Sequence, residues 1–193
     1  MNESAVNSTL DLLAHRRSVA PILLHGPGPT PAQLTQLLTL ATRVPDHGKL
    51  APWRFILFQG DARLKAGEII AAVFKQDNSA APPERVAIEA KRLAHAPLVV
   101  AVVSRAAPHI KIPEWEQQLS AGAVAMSLAI AAKAMGFSTA WLTDWIGYDR
   151  RVLAQFGLAE HERIAGFVHI GMADSVPEDR VRPNLADLVT HFE

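Results

Sequence analysis

Apolar residues recur at helical spacing from the start of the chain. Val6, Leu10 and Leu13 fall at i, i+4 and i+7, so residues 4–15 are predicted as an amphipathic helix. Gly26-Pro27-Gly28-Pro29 then interrupts any regular element. Thr30 followed by Pro31 suits an N-cap and first helical turn, and Leu34, Leu37, Leu38 and Ala41 supply one apolar face. Pro45 disfavours helical geometry at Val44, which ends this second helix near Arg43. The apolar run 55–58, after Pro52-Trp53, reads as a strand. Asp61 is placed to cap a helix through about Lys75, and Pro82-Pro83 to open another that stops before Ala96-Pro97.

Residues 98–103 form a Val-rich run of the kind found in a strand buried on both faces. Pro113 begins a long helix that continues to Gly136. Residues 138–142 read as a strand, 148–156 as a short helix stopped by Gly157, and 163–170 as a last strand. Within the long helix, 121–132 is almost entirely small residues, a composition suited to the core or to close approach of another chain. The tail, 174–193, is rich in proline and charge yet carries Leu185, Leu188, Val189 and Phe192. That apolar set needs a surface, on its own domain or on a partner chain. Four strands among five or six helices, with no repeat or linker, predict one mixed α and β domain over residues 1–193.

Composition narrows the functional classes. Of 193 residues, 49% are hydrophobic and 20% charged, enough to build a core. Nineteen basic residues balance nineteen acidic ones, so the chain has no electrostatic footprint for nucleic acid or an anionic membrane. No apolar stretch is long enough to span a bilayer, and the polar N-terminus lacks the layout of a signal peptide, which points to a cytoplasmic protein. With no cysteine, thiol catalysis, disulfides and thiolate metal sites are excluded, and any redox chemistry must use a bound cofactor.

Two cationic clusters follow the first two predicted helices: Arg16-Arg17-Ser18 and Arg43-Val44-Pro45-Asp46-His47-Gly48-Lys49. Cations at a helix C-terminus complement its dipole, and that reading alone accounts for either cluster. An anionic, planar ligand is the other reading, because the arginine fork grips phosphate or a ring carbonyl with paired N–H groups. Trp141-Leu142-Thr143, at a predicted strand end, offers an apolar wall followed by a hydroxyl; core packing is the alternative for Trp141. Gly26-x-Gly28 precedes no strand–helix unit and is no dinucleotide fingerprint. The dispersed histidines have no zinc spacing, so no metal is expected.

In order and spacing, Arg16-Arg17-Ser18, Arg43-x-Pro45-Asp46-His47 with Pro52-Trp53, and Pro113-x-Trp115-Glu116-Gln117-x-x-Ser120-Ala121-Gly122 resemble the nitroreductase superfamily, in its short bacterial branch. The resemblance runs on through Gly136-Phe137, Trp141, Gly166-Phe167 and Gly171, nearly the whole chain. It implies an α+β fold, with a central, mostly antiparallel sheet flanked by helices. It also implies an intertwined homodimer with two FMN sites at the interface. Carried over residue by residue, Arg16, Arg17 and Ser18 contact FMN from one subunit, Arg43 and His47 from the other, and Trp141, Leu142 and Thr143 line the flavin. Ala131, Ala132, Lys133, Ala134, Met135 and Gly136 align with a stretch associated with the nicotinamide cofactor. The implied activity is ping-pong hydride transfer from NADH or NADPH through flavin N5 to a nitroaromatic, quinone or similar acceptor, with no protein group as general acid or base. Competing readings are another flavin reaction of the superfamily, reductive dehalogenation or oxygen-dependent chemistry, and a flavin-binding storage or sensing protein without turnover. Two departures stand out. Ala51 removes a polar side chain before Pro52-Trp53, and Leu142 replaces an arginine, taking away a charge beside the flavin.

Overall fold

The computed structural model describes the backbone of residues 3–192 and the side chains of residues 8–192. Six α-helices and four strands follow one another. They are α1 (Glu3–His15), α2 (Pro31–Ala41), β1 (Trp53–Gln59), α3 (Asp61–Asp77), α4 (Pro83–Ala90), β2 (Leu98–Ser104), α5 (Glu114–Ala134), β3 (Ser138–Leu142), α6 (Arg150–Gln155) and β4 (Arg163–Gly171). The strands make a single sheet in the order β1-β2-β4-β3, every pair antiparallel. The fold is thus α+β.

β2 is buried along its whole length because both sheet faces are covered. Its even-numbered residues Leu98, Val100 and Val102 pack with Val124 and Leu128 of α5 and Leu37 of α2. Its odd-numbered residues Val99, Ala101 and Val103 pack with Ile70 and Val73 of α3 and Leu153 of α6. A continuous apolar run is what such a strand requires, since both sets of alternating side chains leave water. α5 meets this core with one face only, through Ala121, Val124, Ala125, Leu128, Ala129 and Ala132; Gly122, Ala123, Met126 and Ser127 remain partly open.

Local signals explain most boundaries. Thr30 caps α2 in a reciprocal pair: its hydroxyl accepts from the Gln33 amide at 3.3 Å, and the Gln33 side chain accepts from the Thr30 amide at 2.9 Å. Other ends differ from expectation. α3 is capped by Gly60, with Asp61 in its first turn, where a negative charge suits the helix dipole. The predicted 148–156 helix is found as the shorter α6, because Asp149 caps it through the Arg151 amide at 2.8 Å; a separate 3₁₀ turn over Trp145–Gly147, capped by Asp144, precedes it. α4 stops at Ala90, where Glu89 turns into the interior.

Two apolar faces predicted from the sequence find no cover among the described residues. Leu10 and Leu13 on α1 are at least half exposed, and Val6 lies outside the described side chains. In the tail, Leu185, Leu188, Val189 and Phe192 all stay exposed, so the chain's own domain is not the surface they pack on.

Candidate functional site

β3 is an edge strand, bonded to β4 on one side. Its other side receives the segment after α1: Ser18 bridges Thr139 in parallel, and the Val19 amide donates to the Thr139 carbonyl at 2.9 Å. This short pairing brings Arg16-Arg17-Ser18 alongside the 141–143 segment, more than a hundred residues away in sequence. Between them lies a cavity of about 260 Å³, lined by Arg16, Ser18, Met126, Ala129, Thr139, Trp141, Leu142 and Thr143. Trp141 is no core residue. It is 39% exposed, and its indole lies across the neighbouring strand, donating to the Ala165 carbonyl at 3.1 Å. Gly166 permits that approach, since a Cβ there would stand 1.9 Å from the indole nitrogen.

Arg17 is mostly buried, and its Nη1 has no hydrogen-bond partner. Its ion-pair contact among the described residues is Asp179 Oδ1, at 3.7 Å and beyond hydrogen-bonding range. The same Asp179 oxygen accepts from Arg182 Nη2 at 2.7 Å. The tail thereby adds a further cation beside the first cluster. A buried guanidinium nitrogen left unpaired is costly unless an anion completes it.

Leu142 and Thr143 also line a second cavity of about 260 Å³, reached across the end of β3. Its polar groups are Arg92, His95, Asp144 and His169, set among Ile22, Ile88, Leu93, Ile146 and Phe167. Arg92 is gripped by Glu89 in a two-point contact, with Nη2 to Oε1 at 2.9 Å, and also meets Asp144. Glu89 is fully buried. Burial by itself would raise its pKa, but hydrogen bonds from Arg92 and from the Trp145 indole (2.9 Å), with the charges of Arg92 and Arg85, hold the carboxyl below its usual range. His169, in the middle of β4, is pushed down to about 4 by burial and by neighbouring His95. His95 is itself lowered by burial and by Lys91. The cavity thus combines a guanidinium paired with two carboxylates and imidazoles that stay neutral near pH 7.

The second predicted cluster sits elsewhere. Arg43 and His47 are exposed and line neither cavity within this chain. They belong to the loop between α2 and β1. Asp46 closes that loop, its carboxylate accepting from the Leu50 amide at 3.0 Å and the Ala51 amide at 2.9 Å. Ser120 of α5 donates to the Pro45 carbonyl at 2.7 Å and accepts from the Trp53 indole at 3.1 Å, so Trp53 anchors the entry to β1. The 131–136 segment lines neither cavity. Ala131 and Ala132 are buried in the α5-side core, Met135 packs against it, Lys133 is partly exposed, and Ala134 and Gly136 are open.

Arg92 and Asp144 went unread in the sequence as site residues, while Arg180 and Arg182 read there equally as phosphate ligands or as solvated charges. Arg92 had one legible signal, its i, i+3 spacing from Glu89. The positions of Asp144 and Arg182 follow from tertiary placement.

Comparison with known proteins agrees with this architecture. The Nitroreductase family pattern matches residues 13–172. An Escherichia coli K12 protein named "Putative NAD(P)H nitroreductase YdjA" is 34% identical over 186 residues, covering 95% of this chain and 98% of the relative. A Haemophilus influenzae protein of the same NAD(P)H nitroreductase description is 36% identical over 188 residues, with the same coverage. Among solved structures, a nitroreductase-like protein from Bacillus cereus superposes with a TM-score of 0.84 at 24% identity, covering 96% of both chains. The FMN-dependent nitroreductase NfnB from Mycobacterium smegmatis, solved with NADPH, gives 0.73 at 15% identity, covering 98% of this chain and all of that one. The same antiparallel sheet, with the same sequence pattern running across 13–172, makes this chain a member of the nitroreductase family.

Proposed function

We propose that this protein is an FMN-dependent NAD(P)H oxidoreductase that works by ping-pong transfer, with nitroaromatics, quinones or similar planar compounds as acceptors. The observation that carries the reading is the cavity where Arg16 and Ser18 face Trp141, Leu142 and Thr143; Arg17, between them in sequence, does not line it but keeps a buried Nη1 without a hydrogen-bond partner. That donor set fits an anionic group attached to a flat ring: guanidinium groups for a phosphate, a hydroxyl to donate, an indole wall to stack on. The E. coli and H. influenzae relatives are named as NAD(P)H nitroreductases, and the M. smegmatis neighbour as FMN-dependent.

Bound FMN would supply the redox chemistry, taking hydride from NADH or NADPH and returning electrons to the acceptor. The protein's part is placement and charge. Arg16, Arg17 and Ser18 hold the phosphate end, with Arg182 within reach through the tail. Trp141, Leu142 and Thr143 lie along the ring. Arg92, paired with Glu89 and Asp144, lines the cavity on the far side of Leu142 and Thr143 with its charge neutralised by those carboxylates. For the nicotinamide, the 131–136 end of α5 is the assigned surface, with Lys133 its one charged side chain.

In this reading each site is shared between the two subunits of a homodimer, with Arg43 and His47 reaching the partner's flavin. The bare apolar tail and the open face of α5 supply surface for such a dimer. Purified protein is expected to show oxidised-flavin absorption that bleaches anaerobically with NADH or NADPH and to release FMN on denaturation. Release of FAD, or a colourless protein that cannot be reconstituted, overturns the assignment. Heterodimers of Arg17→Ala and Arg43→Ala chains test the sharing. Half the sites regain FMN if each site draws on both chains, and none if each is built within one.

A further inference from the structure

His47 sits in a loop with almost no conformational slack. Asp46 ties the loop's far end through two backbone amides. Gly48 adopts φ +69°, and a side chain there would stand 2.5 Å from Ile112 Cδ1. Two residues of α5 one turn apart, Glu116 and Ser120, reach the same loop from one helix face. Ser120 holds Pro45, and Glu116 Oε2 lies 2.6 Å from His47 Nδ1.

The chemistry of that contact decides the state of the ring. An ionised carboxylate only accepts, so Nδ1 must carry the proton. In the neutral imidazole, Nε2 is then an acceptor, and it has no partner among the described residues. Both side chains are about half exposed, at 61% and 45%, and an open pair of this kind adds little to stability. What the contact does deliver is a fixed tautomer and a fixed direction for the free nitrogen.

We propose that Glu116 is a positioning residue for His47, presenting Nε2 as a hydrogen-bond acceptor toward a ring N–H of the flavin bound by the partner subunit. This rests on the shared-site flavin reading above. It assigns Glu116 a role beyond that of an acidic residue in the first turn of a helix, where charge alone favours the dipole.

The two roles separate in a double-mutant cycle read by titrating apoprotein with FMN. Glu116→Ala is expected to weaken FMN binding about tenfold in the wild-type background and to have no effect in a His47→Ala background. Glu116→Gln, which keeps an acceptor oxygen in place, should restore most of the affinity. In ¹⁵N–¹H correlation spectra of the flavin-free protein, neutral His47 should carry its proton on Nδ1, and Glu116→Ala should move that population toward Nε2. An Nε2–H tautomer in the wild type, unchanged affinity in Glu116→Ala, or equal losses in both backgrounds would each overturn the proposal while leaving the flavin reading intact. Wild-type apoprotein that takes up no FMN would remove both.

Discussion

Arg54 and Arg17 are both drawn largely out of water, and they are treated differently. Arg54, at the β1 edge of the sheet, is saturated: Nε and Nη2 each donate to a Glu162 oxygen at 2.7 Å, and Nη2 also reaches the Gly157 carbonyl at 2.9 Å. Glu162 is 5% exposed and additionally accepts from the Ala159 amide, so the pair is closed on both sides. Arg17, at the opposite edge beside β3, is more buried than Arg54 yet has a nitrogen with no partner and its carboxylate at 3.7 Å. A structural cation is paired by the fold itself. A cation left incomplete by the fold is suited to a ligand, because the desolvation already incurred is recovered only when an anion arrives.

The strongest way to break this comparison is on the saturated side. Arg54→Met leaves the buried Glu162 carboxylate without its main partner and should destabilise the protein by about 3–5 kcal/mol. At roughly 2–4 °C per kcal/mol for a chain of this size, the melting temperature falls by about 6–20 °C. FMN affinity of the folded fraction should not change. A Tm within 2 °C or so of wild type would mean that the pair does not hold the fold.

Acid should attack the same closed interactions. The Glu162 carboxyl is held down to about 2, chiefly by Arg54, so its contribution is complete above the unfolded value of 4.5 and is lost as pH falls from there toward 2. His169 acts at higher pH. Buried as a neutral ring and lowered to about 4, it contributes above its unfolded value of 6.5 and loses that contribution between 6.5 and 4, about 3 kcal/mol in all. Denaturant midpoints should therefore begin to drop below pH 6.5 and fall more steeply below 4.5. His169→Leu should flatten the upper window and leave the lower one in place. A wild-type profile level from pH 7 to 5 would contradict the burial assigned to His169.

On the open side the effect moves from stability to ligand. Arg17→Ala is expected to weaken FMN binding ten- to a hundred-fold, equivalent to about 1.5–3 kcal/mol, with stability unchanged or slightly raised because an unpaired buried group is removed. Equal losses of stability and affinity would make Arg17 a second Arg54. The smallest effect belongs to Arg105, which is half exposed and 3.8 Å from Glu162. Arg105→Ala should cost well under 1 kcal/mol and leave FMN affinity untouched, which calibrates the other two.

Much of the fold was legible along the chain. The Thr30-Pro31 start of α2, the Val-rich β2 run and the 138–142 strand were each readable, because a cap and a short run bounded by Gly136 are local properties. Of the residues that line the first cavity, Arg16, Ser18, Trp141, Leu142 and Thr143 were singled out from the sequence. Less visible was which residues stand next to these. Arg92 reads as an ordinary helix-end cation paired with Glu89, and its place opposite Leu142 depends on how the turn after α4 meets the end of β3. Arg182 reads equally as a phosphate ligand or as a solvated charge, and its meeting with Asp179, beside Arg17, depends on where the tail runs.

The sequence by itself determined which segments are helices and which are strands, which strand is buried on both faces, and that any redox chemistry must use a bound group, since no cysteine is present. Tertiary structure alone decided that Arg54 is paired and Arg17 is not. Both are arginines near polar neighbours in the sequence, and their difference arises from contacts 108 and 162 positions away. Such contacts are set by strand order and by the path of the tail, and the physical state of a charge depends on what surrounds it in space.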